Sequence, residues 1–245
     1  MKKLILSLAL CCAATNFFAQ TADPEQLRKE GNDALNAKNY QVAFTKYNAY
    51  LTQTNFKDSV MAYNCGFCAD QIKKPAEAAK YFDIAIQKKY NLPNAYVGKA
   101  GALRDLKKDA EYIATVKEGL EAVPGDATLE KLYAVYYLKE GQKYQKAGKV
   151  NDAEENYKHI LELQNKKWKT DALYSLGVLF YNNGAKTLQV ATPLAASNKA
   201  KYDEEKEKAT TDFKKANDYL EEAITLSPDR EAAKKILSQV KTQLK

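Results

Sequence analysis

Glycine and proline are scarce in this sequence, ten and six among 245 residues. So few turn formers exclude a fold of many short strands and favour long helices. There is one histidine, His159, so the pairing that activates a nucleophilic Ser or Cys has a single base to draw on, in a stretch that reads as helix. No HExxH motif is present, nor a glycine-rich phosphate loop. No carboxylate pair stands out from the scattered Lys and Glu. Beyond the first residues no apolar stretch is long enough to span a bilayer. These absences argue against an enzyme, against a metal or other cofactor, and against an integral membrane protein.

What is present begins with the N-terminus. Lys2 and Lys3 form a short basic region, Leu4 to Ala14 is an apolar run, and Ala19 is a small residue before Gln20. This is the pattern of a secretory signal peptide over residues 1–19, with cleavage expected after Ala19. The Phe18-Ala19-Gln20 ending resembles export signals of Bacteroidetes-type bacteria, which implies a periplasmic location or one beyond it. The alternative is a lipoprotein anchored through Cys11 or Cys12. Leu10, however, is not the small residue that such a signal places before its cysteine. Loss of Lys2 and Lys3 takes the formal charge from +7 to +5. The remaining Lys and Glu are interspersed, as in Lys201 to Lys208, and read as solvated helix faces rather than as a nucleic-acid surface.

The strongest signal is internal repetition. Gly31 is followed by Ala43, Tyr47 and Tyr50, at offsets of 12, 16 and 19. Gly66, Ala78, Phe82 and Ala85 repeat those offsets, as do Gly141, Ala153, Tyr157 and Ile160. A period near 34 residues is the mark of a helical repeat array. Small residues let two helices cross closely, and bulky ones fill the space toward the next unit. Each unit leaves its apolar face to be covered by its neighbour. The 17 tyrosines suit such packing, with an apolar ring inside and a hydroxyl that can reach water or a carbonyl.

The pattern resembles the tetratricopeptide repeat (TPR), and the resemblance covers nearly all of the chain after residue 19. It implies an all-α solenoid of helical hairpins wound as a right-handed superhelix. The units run at about residues 24–58, 59–92, 93–126, 127–167 and 168–228, followed by a capping helix at 229–245. The third departs from the pattern at Tyr112, and the fourth has an enlarged first helix. In the fifth, Ala216 follows Gly177 by 39 residues instead of 12. The extra 27 residues, about 184–210, read as two lengthened antiparallel helices projecting from the solenoid. A mobile turn is expected to join them near Thr192 to Lys199, because Pro193 breaks any helix running through it.

Cys65 and Cys68 form the only CxxC. An oxidising compartment would permit a disulfide or a redox role. The pair nevertheless lies inside a helix around Gly66, where small apolar residues pack, and no strand precedes it as in a thioredoxin-like motif. With one histidine and no second cysteine cluster, a zinc site is not expected.

The resemblance also implies a function: a scaffold whose first helices line a concave groove for a peptide or protein segment. Counted in the repeat frame, the groove positions include Arg28 and Asn32, then Tyr63, Asn64 and Phe67. Asn94, Val97 and Arg104 follow, and later Tyr174 and Tyr181. Arg28, Asn32 and Asn64 fall where co-chaperones of this family grip a peptide carboxylate, whereas Asn94 and Gly98 stand where those proteins place two further basic residues. Half of that clamp is absent. The expectation is a non-enzymatic adaptor or scaffold of the bacterial envelope with a protein or peptide partner. The alternative is a structural subunit of an envelope complex or homo-oligomer, docking through its convex face or its inserted hairpin.

Overall fold

A computed structural model describes residues 22–245, and they form a succession of antiparallel helix pairs. The pairs are α1 (Pro24–Asn36) with α2 (Tyr40–Gln53), α3 (Ser59–Gln71) with α4 (Pro75–Gln87), and α5 (Leu92–Asp105) with α6 (Asp109–Ala122). α7 (Ala127–Lys146) follows with α8 (Val150–His159), which tightens into a 3-10 turn at Ile160–Glu162. The long α9 (Lys166–Ala191) leads through a single-turn α10 (Leu194–Ser197) to α11 (Lys199–Leu226), and α12 (Glu231–Gln243) closes the array. No strand occurs among the described residues. The signal-peptide reading lies outside them.

Local chemistry sets these boundaries. Asp58 Oδ1 accepts the amides of Val60 and Met61 at 3.0 Å to start α3. Asp126 does the same for α7 through Thr128 and Leu129, and Asn165 for α9 through Lys167 and Trp168. Such caps contribute about 1 kcal/mol each. Proline stands in the first turn of α1, α4 and α5, where its missing N–H costs nothing.

The turn inside each of the first four hairpins is the same device. Seven residues after the small residue of the crossing, the chain enters the left-handed region: Lys38 at φ 57°, Lys73 at 59°, Lys107 at 59° and Gly148 at 73°. The residue after it then donates its amide back to the carbonyl of Ala34, Ala69, Leu103 or Tyr144. This is the Schellman closure of a helix C-terminus. Three of the four left-handed positions hold lysine where glycine would be unstrained.

The glycine crossings explain the period. A Cβ on Gly31 would lie 2.6 Å from the Tyr47 ring, and one on Gly141 would collide with Tyr157. In the last hairpin Gly177 meets Leu220 in the same way, at 2.5 Å. That pair carries the same 27-residue excess that separates Gly177 from Ala216, so the added length lies between the two crossing residues. Beyond the crossing, α9 and α11 continue against each other through Phe180, Gly184, Ala209 and Phe213. Asn183 donates to Asp212 at 2.7 Å across this stretch. The expected loop at Thr192 to Lys199 holds α10, one turn of helix that Pro193 caps at its start, because a proline that ends one helix does not prevent the next from beginning directly after it. Tyr112, the departure in the third unit, is buried and donates its hydroxyl to the Leu132 carbonyl at 3.3 Å.

Three core clusters follow in series: one over α1 to α5, one over α5 to α9, and one over α8 to α12. Each shares a helix with the next. Burial is thus continuous along the array rather than gathered at one centre.

Candidate functional site

First helices of successive hairpins touch one another, α3 with α5, α5 with α7, and α7 with α9. No packing of similar extent joins the second helices α2, α4, α6 and α8 among the described residues. The array therefore curves with α3, α5, α7 and α9 on the inside, and α1 holds the corresponding place in the first hairpin; together they form an inner wall.

The expected wall residues divide into three kinds. Asn32 and Asn64 are committed to the fold. Tyr47 donates its hydroxyl to Asn32 Oδ1 at 2.8 Å, and the Asn64 side chain reaches the same hydroxyl. Burial pushes the Tyr47 phenol up to about 12, with the Asn64 bond opposing the shift. Tyr174 is also engaged. The Arg230 guanidinium stacks 4.5 Å from its ring centre while donating to Asp171 at 2.6 Å.

Tyr63, Phe67 and Tyr181 are half-buried, each with one aromatic neighbour or more. Tyr63 lies 5.6 Å from Phe82 and 5.8 Å from Tyr90, Phe67 lies 5.8 Å from Tyr40, and Tyr181 lies 6.1 Å from Phe213. Arg28, Asn94, Val97 and Arg104 make up the rest. Arg28 pairs with Glu25 at 2.5 Å, which raises its pKa above the usual value. Asn94 donates to Asn91. Val97 is half-buried. Arg104 is exposed and has no ion pair among the described residues.

Two wall residues escape sequence reasoning. Val60 is 37% exposed and Val135 48% exposed, both unusual for large apolar side chains here. Each stands six residues before a crossing glycine, the register that Asn94 holds relative to Ala100. That offset is the signal that finds them. Gly101 also matters, because a Cβ there would meet nothing within 4 Å. The wall is open above it, between Val97 and Arg104.

The thiols sit elsewhere. Cys65 and Cys68 are free and completely buried, and Cys65 Sγ contacts the Phe44 carbonyl at 3.9 Å. Desolvation raises both pKa values, Cys68 to about 11, so neither presents a thiolate near neutral pH. His159 is exposed and its ring lies 4.3 Å from that of Tyr137. Among the described residues no group of three or more His, Cys, Asp or Glu could hold a metal ion, and no helix is long and apolar enough to cross a membrane.

This geometry defines a class: a curved array of helical hairpins with an inner wall. The comparisons place the chain within that class. It is 68% identical to a TPR-repeat protein of Bacteroides fragilis whose crystal structure is known, over 90% of this chain and 98% of that one, with a TM-score of 0.87. The chain belongs to the TPR-repeat proteins, which are helical scaffolds for protein–protein interaction. More distant solved structures include YrrB, described as a TPR protein with an unusual peptide-binding site. It is 16% identical over 88% of this chain and 92% of that one, with a TM-score of 0.43. The MamA protein is 16% identical over 85% and 97%, with a TM-score of 0.40. No protein-family model matches the sequence, and no curated protein does.

Proposed function

We propose that this protein is an exported, non-enzymatic adaptor of the bacterial envelope that holds an extended protein segment along the inner wall of α1, α3 and α5. The observation that carries the proposal is the row formed by exposed Val60 and half-buried Tyr63, Phe67 and Val97, interrupted by the open surface at Gly101 and ended by Arg104, unpaired among the described residues. Aromatic rings give contact area at small entropic cost, and a free guanidinium can bond a backbone or carboxylate. Export rests on Lys2, Lys3 and the apolar run to Ala14.

The test is affinity capture from envelope extracts, with a Val60→Glu/Arg104→Glu variant beside the wild type. Both positions are exposed, so the variant is expected to keep its fold. A partner retained by the wild type and lost by the variant supports the inner wall. A partner that persists sinks this reading. It would favour the second, docking through the extended hairpin, for which Val190 near its tip is the motive, 69% exposed. Deleting residues 184–210 would then abolish capture. Fractionation of cells for the processed chain tests export separately.

A further inference from the structure

Away from the inner wall, between the turn joining α6 to α7 and the turn leading into α9, lies a cavity of about 260 Å³. It falls below the roughly 300–1,000 Å³ typical of pockets for drug-sized ligands. Leu120, Tyr133 and Leu163 supply its apolar walls, and the exposed carboxylates Glu121 and Glu162 also line it. So does Glu130, which is only 3% exposed.

Glu130 is an unusual residue to bury. Its Oε1 accepts the backbone amides of Gln164 at 2.7 Å and Asn165 at 3.2 Å, tying α7 to the start of α9. Those two bonds need only a carbonyl oxygen, which a glutamine would provide. The charge itself has no cationic partner among the described residues. The second oxygen makes no hydrogen bond there either. It is also not sealed from solvent, since the one sealed and unpartnered side-chain N or O among the described residues is Arg230 Nε. Glu130 therefore reaches water through the cavity that it lines. Burying a carboxylate without a counter-charge is unfavourable, and an arriving cation would relieve it. Lys117 is the only cation lining the cavity, facing three carboxylates, and it is exposed and pairs with none of them.

We infer that this cavity receives the side chain of a lysine or arginine from a partner protein. The aliphatic stem lies against Leu120, Tyr133 and Leu163, while the cationic head bonds the free oxygen of Glu130. Glu121 and Glu162 draw the cation toward the cavity. The site is separate from the inner wall and does not depend on how that wall is used.

Amide resonances of the ¹⁵N-labelled chain test this, read at Gln164 and Asn165, the two amides that Glu130 holds. N-acetyl-arginine amide and N-acetyl-lysine amide are expected to shift both saturably, and N-acetyl-norleucine amide, which has a neutral stem, is not. In Glu130→Gln, which keeps the acceptor for both amides, the apparent affinity falls at least about tenfold. No saturable shift with either cation overturns the proposal. So does an equal response to the norleucine derivative, or an undiminished response in the Gln variant. Should that variant fail to fold, Glu121→Gln/Glu162→Gln alters exposed residues only. It is expected to weaken binding several-fold, and an unchanged response there overturns the proposal equally.

Discussion

Tyr47 donates its hydroxyl to Asn32 across the crossing where Gly31 lets α1 and α2 approach, and the ring that would clash with a Cβ at Gly31 carries that hydroxyl. One residue thus fills the apolar gap and ends in a polar bond near the inner wall. Removing the acceptor strands the hydroxyl of a fully buried tyrosine. Asn32→Ala is expected to destabilise the chain by about 1–3 kcal/mol, measured by urea denaturation. A change smaller than a few tenths of a kcal/mol would mean that Asn64 or water satisfies Tyr47 unaided. Loss of partner binding in an Asn32 or Asn64 variant would accordingly report on folding as well as on contact.

Close approach makes the glycines unequal. Gly31→Ala must displace the Tyr47 ring, and Gly177→Ala must displace Leu220. Each is expected to cost about 1–3 kcal/mol by overpacking. Gly101→Ala meets open space within α5 and removes a flexible residue from a helix. It should stabilise by roughly 0.5–1 kcal/mol. Thermal melts of the three variants decide this, and equal effects would refute the account of the crossings.

The left-handed lysines give a contrast within one molecule. Replacing Lys38, Lys73 or Lys107 by glycine relieves strain of roughly 1–2 kcal/mol per position. Greater freedom of the unfolded chain offsets part of the gain. A net stabilisation of about 0.5–1 kcal/mol each is expected, whereas Gly148→Lys at φ 73° should lose a comparable amount. Chemical denaturation of the four variants measures both signs.

Buried acids predict the alkaline limit. The Cys68 thiol rises from 9.0 to about 11, while Tyr47 and Tyr157 rise from 10.0 to about 12. In every case desolvation favours the protonated form in the folded state. Below the unfolded pKa both states hold the proton and the contribution is complete. Above it the unfolded chain ionises first, so stability falls between about pH 9 and about pH 12. Denaturation midpoints across that range should decline while those between about pH 6 and about pH 8 stay level. In parallel, a thiol reagent at neutral pH should leave native Cys65 and Cys68 unmodified and label both once the chain is unfolded.

The array was legible because its signal is covalent spacing. Gly31, Gly66 and Gly141 with their partners sixteen residues on are a fixed distance apart in sequence and in space, and the excess between Gly177 and Ala216 measured the hairpin extension directly. Side-chain commitments were harder to read. Whether Asn64 faces solvent or the Tyr47 hydroxyl depends on a partner in another helix, and Tyr174 lies under an arginine 56 residues away. The lysines at the turns gave no sign of their backbone because the composition cue for that conformation is glycine. Glu130 is buried by the turn before α9, 34 residues on in sequence, which no local pattern around it announces.

The extended hairpin has a mechanical consequence. From Gly177 to the end of α9 at Ala191 the helix rises roughly 20 Å beyond its anchoring point, at ~1.5 Å per residue. The distal halves of α9 and α11 pack on one another. A change of ten degrees in how Gly177 seats against Leu220 would therefore move the tip by roughly 3–4 Å. The structure contains a lever. Its fulcrum is a glycine, and a small adjustment in the last hairpin is amplified into a displacement as wide as a water molecule at the far end.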